Sequence, residues 1–174
     1  MPESSRDLEL TSDAANQHYL LGFDPGRDKC GLAVALISPS SEQPAPVTQA
    51  STGMEICHRE IVRSDEVETR IAAQYDTFHL QPDAALDLVM GNQTTARRWQ
   101  QRLLQAFPHL TIHLIDERFS SQEARQRYWS IYPARGLQRL VPLGMREPPR
   151  PIDDIVAQIL IERYVEQEGA THEG

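Results

Sequence analysis

Three acidic residues stand where predicted strands end or a predicted helix begins. Asp24 closes an apolar run, Glu117 follows a later one, and Asp153 lies in the first turn of the expected last helix. Each has an ordinary explanation: turn chemistry for Asp24, a local ion pair around Glu117, and the helix macrodipole for Asp153. The setting of Asp24 is unusual, because a buried strand carries its carboxylate into a Pro-Gly turn, where a charge needs cationic partners.

Three converging carboxylates, without a cysteine or a clear histidine cluster, select hard divalent cations with oxygen ligands. We therefore predict two Mg²⁺ or Mn²⁺ ions, a pair that can clamp the attacking and leaving oxygens of a phosphodiester. Asp24 is expected to bridge both ions, and Glu117 and Asp153 each to hold one. Glu117 is also placed to orient the attacking water. Asp154 is the alternative to Asp153, because neighbours on a helix point about 100° apart.

The elements that must position these acids follow from apolar runs and turn residues. Two strands joined by a very short turn must pair as an antiparallel hairpin. Ser120 and Glu123 have the spacing of a capping box at the start of a helix. The predicted strands cover 19–26, 29–37, 53–62, 85–91 and 111–116, and the predicted helices begin at residues 64, 94, 120 and 151.

Crossover connections make the later strands parallel to a neighbour. The sequence therefore predicts an α/β fold with a mixed five-stranded sheet, three antiparallel strands and then two parallel ones, with helices on both faces. We expect a disordered leader over 1–18, a single domain over 19–168 and a flexible tail over 169–174. A long loop rich in proline and arginine is expected over 133–150.

Composition agrees with one globular domain. The 174 residues are 40% apolar and 24% charged, with a net charge of −8. No apolar run approaches the roughly 18 residues of a membrane span, and the polar start does not resemble a secretory signal. Cys30 and Cys57 are interpreted as reduced thiols, one bridge between them remaining open, so a cytoplasmic location is expected.

The charge is unevenly distributed along the chain. Residues 1–96 carry −9, residues 97–150 carry +6 and residues 151–174 carry −5, and all ten bases of the middle block are arginines. The arginine guanidinium forms bidentate hydrogen bonds with phosphate and stacks on bases. This block predicts contact with nucleic acid, although a solvated face with internal ion pairs is the alternative.

The candidate nucleic-acid contacts lie beside the acids or within the basic block. Asn92 and Thr94 precede a helix, where an anion site and plain capping are both open. For Arg118, the alternative to a phosphate contact is an ion pair with Asp116. For Trp129, the alternative to stacking on a base is packing in the core. His109 and His113 are expected to be structural. The candidates are Arg27, Lys29, Asn92, Thr94, Arg118, Trp129, Arg135, Arg139, Arg146 and Arg150.

Four strings, LLGFDPGRDKCGLAV, VMGN, IHLIDERFSSQEA and IDDIVAQILIERY, resemble the YqgF/RuvX-like family over about 19–167. The resemblance implies an RNase H-like fold and the activity of a Holliday-junction resolvase or a pre-16S rRNA processing nuclease. It also places the family's metal-binding acids on Asp24, Glu117 and Asp153. The chain departs from the usual family pattern in three places, which is typical of a divergent branch. These are the extra Asp28, the Asn-Gln-Thr-Thr after Gly91 and the longer, more aromatic loop.

Two hypotheses follow. The first is a metal-dependent nuclease acting on branched DNA or structured precursor rRNA, as a monomer or a homodimer and without a membrane partner. The second is a non-catalytic RNase H-fold module that holds RNA, ribosome-assembly intermediates or a protein partner. An ATPase of the sugar-kinase/actin type is disfavoured, because those enzymes close two such domains on ATP and 174 residues supply one.

Overall fold

The structure of the protein, a computed structural model, describes residues 18–38, 53–78 and 86–172. These residues form five strands and four helices, with two 3₁₀ turns in the long loop at Gly136–Leu140 and Leu143–Met145. The elements are β1 (His18–Asp24), β2 (Lys29–Ser38), β3 (Gly53–Arg63), α1 (Val67–Thr77), β4 (Leu86–Gly91), α2 (Ala96–Ala106), β5 (Leu110–Ile115), α3 (Ser120–Ile131) and α4 (Asp153–His172).

The strands form one mixed sheet in the order β3-β2-β1-β4-β5. β2 pairs antiparallel with β1 and β3, whereas β4 runs parallel to both β1 and β5. The predicted five-stranded arrangement is confirmed. Since β1, β4 and β5 are parallel, their carboxyl ends meet at one edge of the sheet, and this is where sites form in open α/β sheets.

Alternating side chains of β1 serve two separate cores. Leu21 and Phe23 pack with α1 and α2, where the ring of Phe23 meets Trp99 edge-on at 5.1 Å between centroids. Leu20 faces the opposite side and packs against Ala157 and Ile161 of α4. Helices therefore cover both faces of the sheet, as predicted. Because α3 packs on the outer side of α4, that helix is apolar on most of its circumference.

Two sequence expectations differ from the structure. The capping box does not form, because Ser120 is already the first helical residue and no side chain caps α3. Its N-cap is Phe119, in the left-handed conformation, and Glu123 pairs with arginines instead. At the C-terminus, α4 extends to His172 and so includes residues predicted as tail. The expected leader lies outside the described residues except at residue 18.

Both cysteines, Cys30 and Cys57, are free thiols. Among the helices of the described ranges, none is both long and apolar enough to cross a membrane.

Candidate active site

Asp24 is the last residue of β1, at the carboxyl edge of the sheet. It lies opposite Gly31 in the β1–β2 hairpin. Burial raises the pKa of the Asp24 carboxyl from 3.8 to about 7, and repulsion from Asp153 and Glu117 adds to the rise. Two of the acids predicted from the sequence, Asp153 and Glu117, are therefore close enough to Asp24 to act on it electrostatically.

The start of α4 is positioned by a close backbone contact with the hairpin. A Cβ added to Gly31 would lie 1.9 Å from the carbonyl oxygen of Asp153 and 2.9 Å from the nitrogen of Asp154. Only glycine allows this approach. Because Gly31 is the cross-strand partner of Asp24, the contact brings the first residue of α4 beside the end of β1.

Glu117 reaches the same edge from the connection after β5. A Cβ on Gly91 would lie 1.6 Å from its Oε2 atom, so the Glu117 side chain lies directly over the last residue of β4. β4 is the parallel neighbour of β1. Burial raises the pKa of Glu117, while a hydrogen bond from the backbone N–H of Gln93 partly offsets that rise.

The two adjacent acids of α4 have different environments. Asp154 is only 5% exposed and accepts two hydrogen bonds from Arg150, at 2.8 and 3.1 Å. The Arg150 guanidinium also lies over the rings of Tyr128 and Tyr132, at 5.7 and 5.6 Å from their centroids. Asp154 is thus neutralised within the protein, whereas Asp153 forms no ion pair in the described chain and adds to the rise in the pKa of Asp24. Asp153 is the better candidate ligand, and Arg150 is engaged in an intramolecular ion pair.

The donor set fits a hard divalent cation. It consists of carboxylates, and no lysine or arginine of the described chain forms an ion pair with Asp24, Glu117 or Asp153. Such an uncompensated group of acids is the setting that a cation would stabilise. Among the described residues, no three His, Cys, Asp or Glu side chains are already arranged to enclose an ion. Ion binding therefore requires side-chain adjustment.

The turn after Asp24 is tied to the start of α2. The Thr95 hydroxyl donates a hydrogen bond to the Pro25 carbonyl at 3.0 Å, and the indole of Trp99 donates to the Gly26 carbonyl at 3.2 Å. These contacts fix the loop that carries the predicted cations Arg27 and Lys29. Both cations are exposed, as are the predicted Asn92 and Thr94 before α2.

The Arg-aromatic segment is less available than the sequence suggested. Trp129 is 8% exposed and packs with α4, so core packing, the alternative reading, accounts for it. Arg146 donates to the carbonyls of Val141 and Arg139, at 2.6 and 3.1 Å, which fastens the long loop. Arg139 and the predicted Arg135 have exposed side chains.

Arg118 pairs with Asp116 through a 2.8 Å hydrogen bond, the local alternative considered for it. Sequence analysis missed Arg163, which donates to the carbonyls of Asp116 and Arg118, at 2.7 and 3.1 Å. It thereby ties the segment carrying Glu117 to α4. No local pattern marks Arg163, because its partners lie more than 40 positions earlier.

In the described chain His109 and His113 form no ion pair with Asp24, Glu117 or Asp153. His113 forms a 2.9 Å hydrogen bond with Asp87, whose other oxygen bonds His18 at 2.8 Å. The expected structural role of His113 agrees with this contact. His109 is exposed just before β5.

The order and directions of the five strands, with helices on both faces, define an RNase H-like fold. The Fowlpox virus resolvase, solved with Holliday junction DNA, has the same fold: 14% identity, a TM-score of 0.50, and coverage of 86% of this chain and 97% of that one. RuvC of T. thermophilus in complex with a Holliday junction substrate gives 15% identity, a TM-score of 0.46, and coverage of 86% and 96%.

The resemblance to the YqgF/RuvX-like family is confirmed by a curated relative. The chain is 28% identical over 169 residues to a protein of Psychrobacter sp. (strain PRwf-1) named "Putative pre-16S rRNA nuclease", with coverage of 94% of this chain and 88% of the relative. No protein-family model matches the chain.

Proposed function

We propose that this protein is a divalent-metal-dependent nuclease that hydrolyses phosphodiester bonds in structured nucleic acid. The observation that supports the proposal is that Asp24 ends β1, that the backbone of Asp153 packs on Gly31 beside it, and that the Glu117 side chain lies over the end of the neighbouring strand β4. The pKa of Asp24 is raised in part by repulsion from Asp153 and Glu117, which supports the same grouping. The similarity to a protein named as a pre-16S rRNA nuclease supports the same reaction class.

In this proposal Asp24, Glu117 and Asp153 hold two ions, Mg²⁺ or Mn²⁺. When bound, the ions supply a nucleophile at neutral pH and neutralise charge on the phosphoryl group. Asp24 lies on the central strand and would be the residue that holds both ions. Glu117, on a connection outside the sheet, orients the attacking water. The partly raised pKa of Glu117 suits an acid that also accepts a proton.

Exposed cations in the turn after β1 and in the long loop would position the substrate. Arg27 and Lys29 lie in the turn after Asp24, and Arg135 and Arg139 lie on the long loop before α4. None of the four forms an ion pair within the described chain, so their charges are available to phosphates. Affinity should therefore fall steeply with salt as counterions are released.

The substrate class we propose is a Holliday junction or precursor 16S rRNA, with cleavage in the cytoplasm by a monomer or a homodimer. Symmetric resolution of a four-way junction would need a dimer, whereas trimming rRNA would not. Ribosome-assembly factors are further candidate partners. A non-catalytic binding module is the second candidate, favoured by the lack of a ready-made metal cage among the described residues.

The decisive experiment measures cleavage of four-way-junction DNA, hairpin RNA and precursor rRNA with and without Mn²⁺. Asp24→Asn should abolish cleavage and retain binding. Asp28→Asn is the matched control, because Asp28 is an exposed acid in the adjacent turn. Equal cleavage by wild type and Asp24→Asn would refute the site. Binding without cleavage of any substrate would favour the non-catalytic module.

A further inference from the structure

Phe119 is held in an unfavourable backbone conformation and exposes an aromatic ring. Its φ of 64° is the only positive value at a non-glycine residue in the described chain, and the residue is 77% exposed. A left-handed conformation costs energy for any side chain with a Cβ. Strain of this kind persists where the surroundings impose it and is frequent at functional sites.

The surroundings that impose it are backbone hydrogen bonds at the start of α3. The Ser120 N–H donates to the Glu117 carbonyl, and the Glu123 N–H donates to the Phe119 carbonyl, both at 3.0 Å. The chain therefore turns sharply between the candidate metal ligand Glu117 and the helix. As a result the Phe119 ring is presented two residues from the proposed active site.

The ring lines an open cleft of about 560 Å³ between α3 and the long loop. On the loop side stand Leu143 and Met145, which are 50% and 74% exposed. The loop wall is held in place by Arg146, which bonds two carbonyls of the same loop. Phe119, Leu143 and Met145 form an exposed apolar patch in a cleft whose remaining lining is largely polar and includes Arg125 and Glu147.

The chemistry of the cleft suits an unpaired base. Bases stack on aromatic rings, and a thioether is a polarisable contact for a flat π-system. Arg125, which lines the α3 side, is exposed and forms no ion pair in the described ranges, so it can neutralise a backbone phosphate. The nearby Trp129 cannot take this role because it is buried.

We propose that the cleft between Phe119 and Met145 binds an unpaired nucleotide next to the scissile phosphate, with its base stacked on the Phe119 ring. This inference rests on the proposed function and adds a substrate requirement: a splayed or single-stranded nucleotide beside the cleavage point. The Met145 wall belongs to the long loop in which this chain departs from the family pattern.

The test uses the full chain with a chelator, so that binding is measured without cleavage. The probes are DNA and RNA oligonucleotides that carry 2-aminopurine in a single-stranded stretch, whose fluorescence falls on stacking. We expect quenching by wild type, its loss in Phe119→Ala, and roughly tenfold weaker binding, the effect of removing one base–aromatic stack. Met145→Asp should weaken binding in the same direction.

Two control variants distinguish this stacking role from an effect on folding and from nonspecific hydrophobic binding. Phe119→Gly relieves the left-handed strain and should keep the melting temperature of wild type while losing the quenching. Leu137→Ala removes a side chain that is 82% exposed but lies outside the cleft, and should leave binding unchanged. An oligonucleotide with an abasic site in place of the probe should bind wild type and Phe119→Ala equally.

Unchanged quenching in Phe119→Ala would overturn the proposal, as would an equal loss of affinity for fully paired duplex and for the single-stranded probe. A protein partner captured through Leu143 and Met145, with no effect on oligonucleotides, would also overturn it. The proposed function fails separately, through cleavage by Asp24→Asn. The binding assay contains no metal and does not depend on that result.

Discussion

Neutralising Asp24 should stabilise the metal-free protein at alkaline pH. Burial, with repulsion from Asp153 and Glu117, raises the pKa of this carboxyl above its unfolded value. By linkage, its contribution to stability is fully present below the unfolded pKa and is lost as pH rises through the folded one. The stability gap between Asp24→Asn and wild type should therefore be near zero at pH 4 and should widen toward pH 8.

The size of this effect follows from the pKa. A rise from 3.8 to about 7 corresponds to about 4 kcal/mol of unfavourable free energy when the group is ionised in both states. An asparagine must still satisfy its own polar atoms, so we expect a gain of about 2 to 4 kcal/mol. For a chain of this length that gain is roughly 5 to 15 °C in melting temperature.

The assay is thermal and urea unfolding from pH 4 to 8 with a chelator present. Asp28→Asn removes one exposed acid from the same turn and serves as the control for net charge. It should change stability by less than about 0.5 kcal/mol. If Asp24→Asn were no more stable than Asp28→Asn at pH 8, the reasoning that places an uncompensated buried carboxylate at this edge would be refuted.

Three further predictions concern the same edge of the sheet. Mn²⁺ or Mg²⁺ at pH 8 should raise the melting temperature of wild type but not of Asp24→Asn, since binding to the folded state stabilises it; equal shifts would argue against this ligand. Arg150→Ala should destabilise by about 3 kcal/mol in urea unfolding, because it leaves buried Asp154 unpaired, and Asp154→Asn added to it should recover part of the loss. Gly31→Ala should cost about 3 kcal/mol through its clash with the backbone of α4, whereas Gly144→Ala, with open space around it, should cost far less.

Short-range patterns predicted most of the fold. The turn between β1 and β2 is too short for anything but a hairpin, and the continuous apolar run of β1 indicates a strand that is covered on both faces. The predicted α2 follows from Trp99, Leu103 and Phe107 on one side; Trp99 and Leu103 are buried, and the partly buried Phe107 is the residue at which the helix ends. The capping box failed because the spacing of Ser120 and Glu123 says nothing about the left-handed turn that precedes them.

The sequence by itself determined which acids are candidates. It also determined that they lie at the ends of parallel or neighbouring elements, because strand order and crossover rules depend on local pattern and loop length. The tertiary structure alone decided which acids meet uncompensated. It paired Asp154 with Arg150 and left Asp153 without an ion pair in the described chain, where its charge acts on Asp24. It also buried Trp129 and exposed Phe119 beside Glu117. The physical reason is that burial and ion pairing depend on contacts between side chains far apart in the chain, and no local periodicity encodes those contacts.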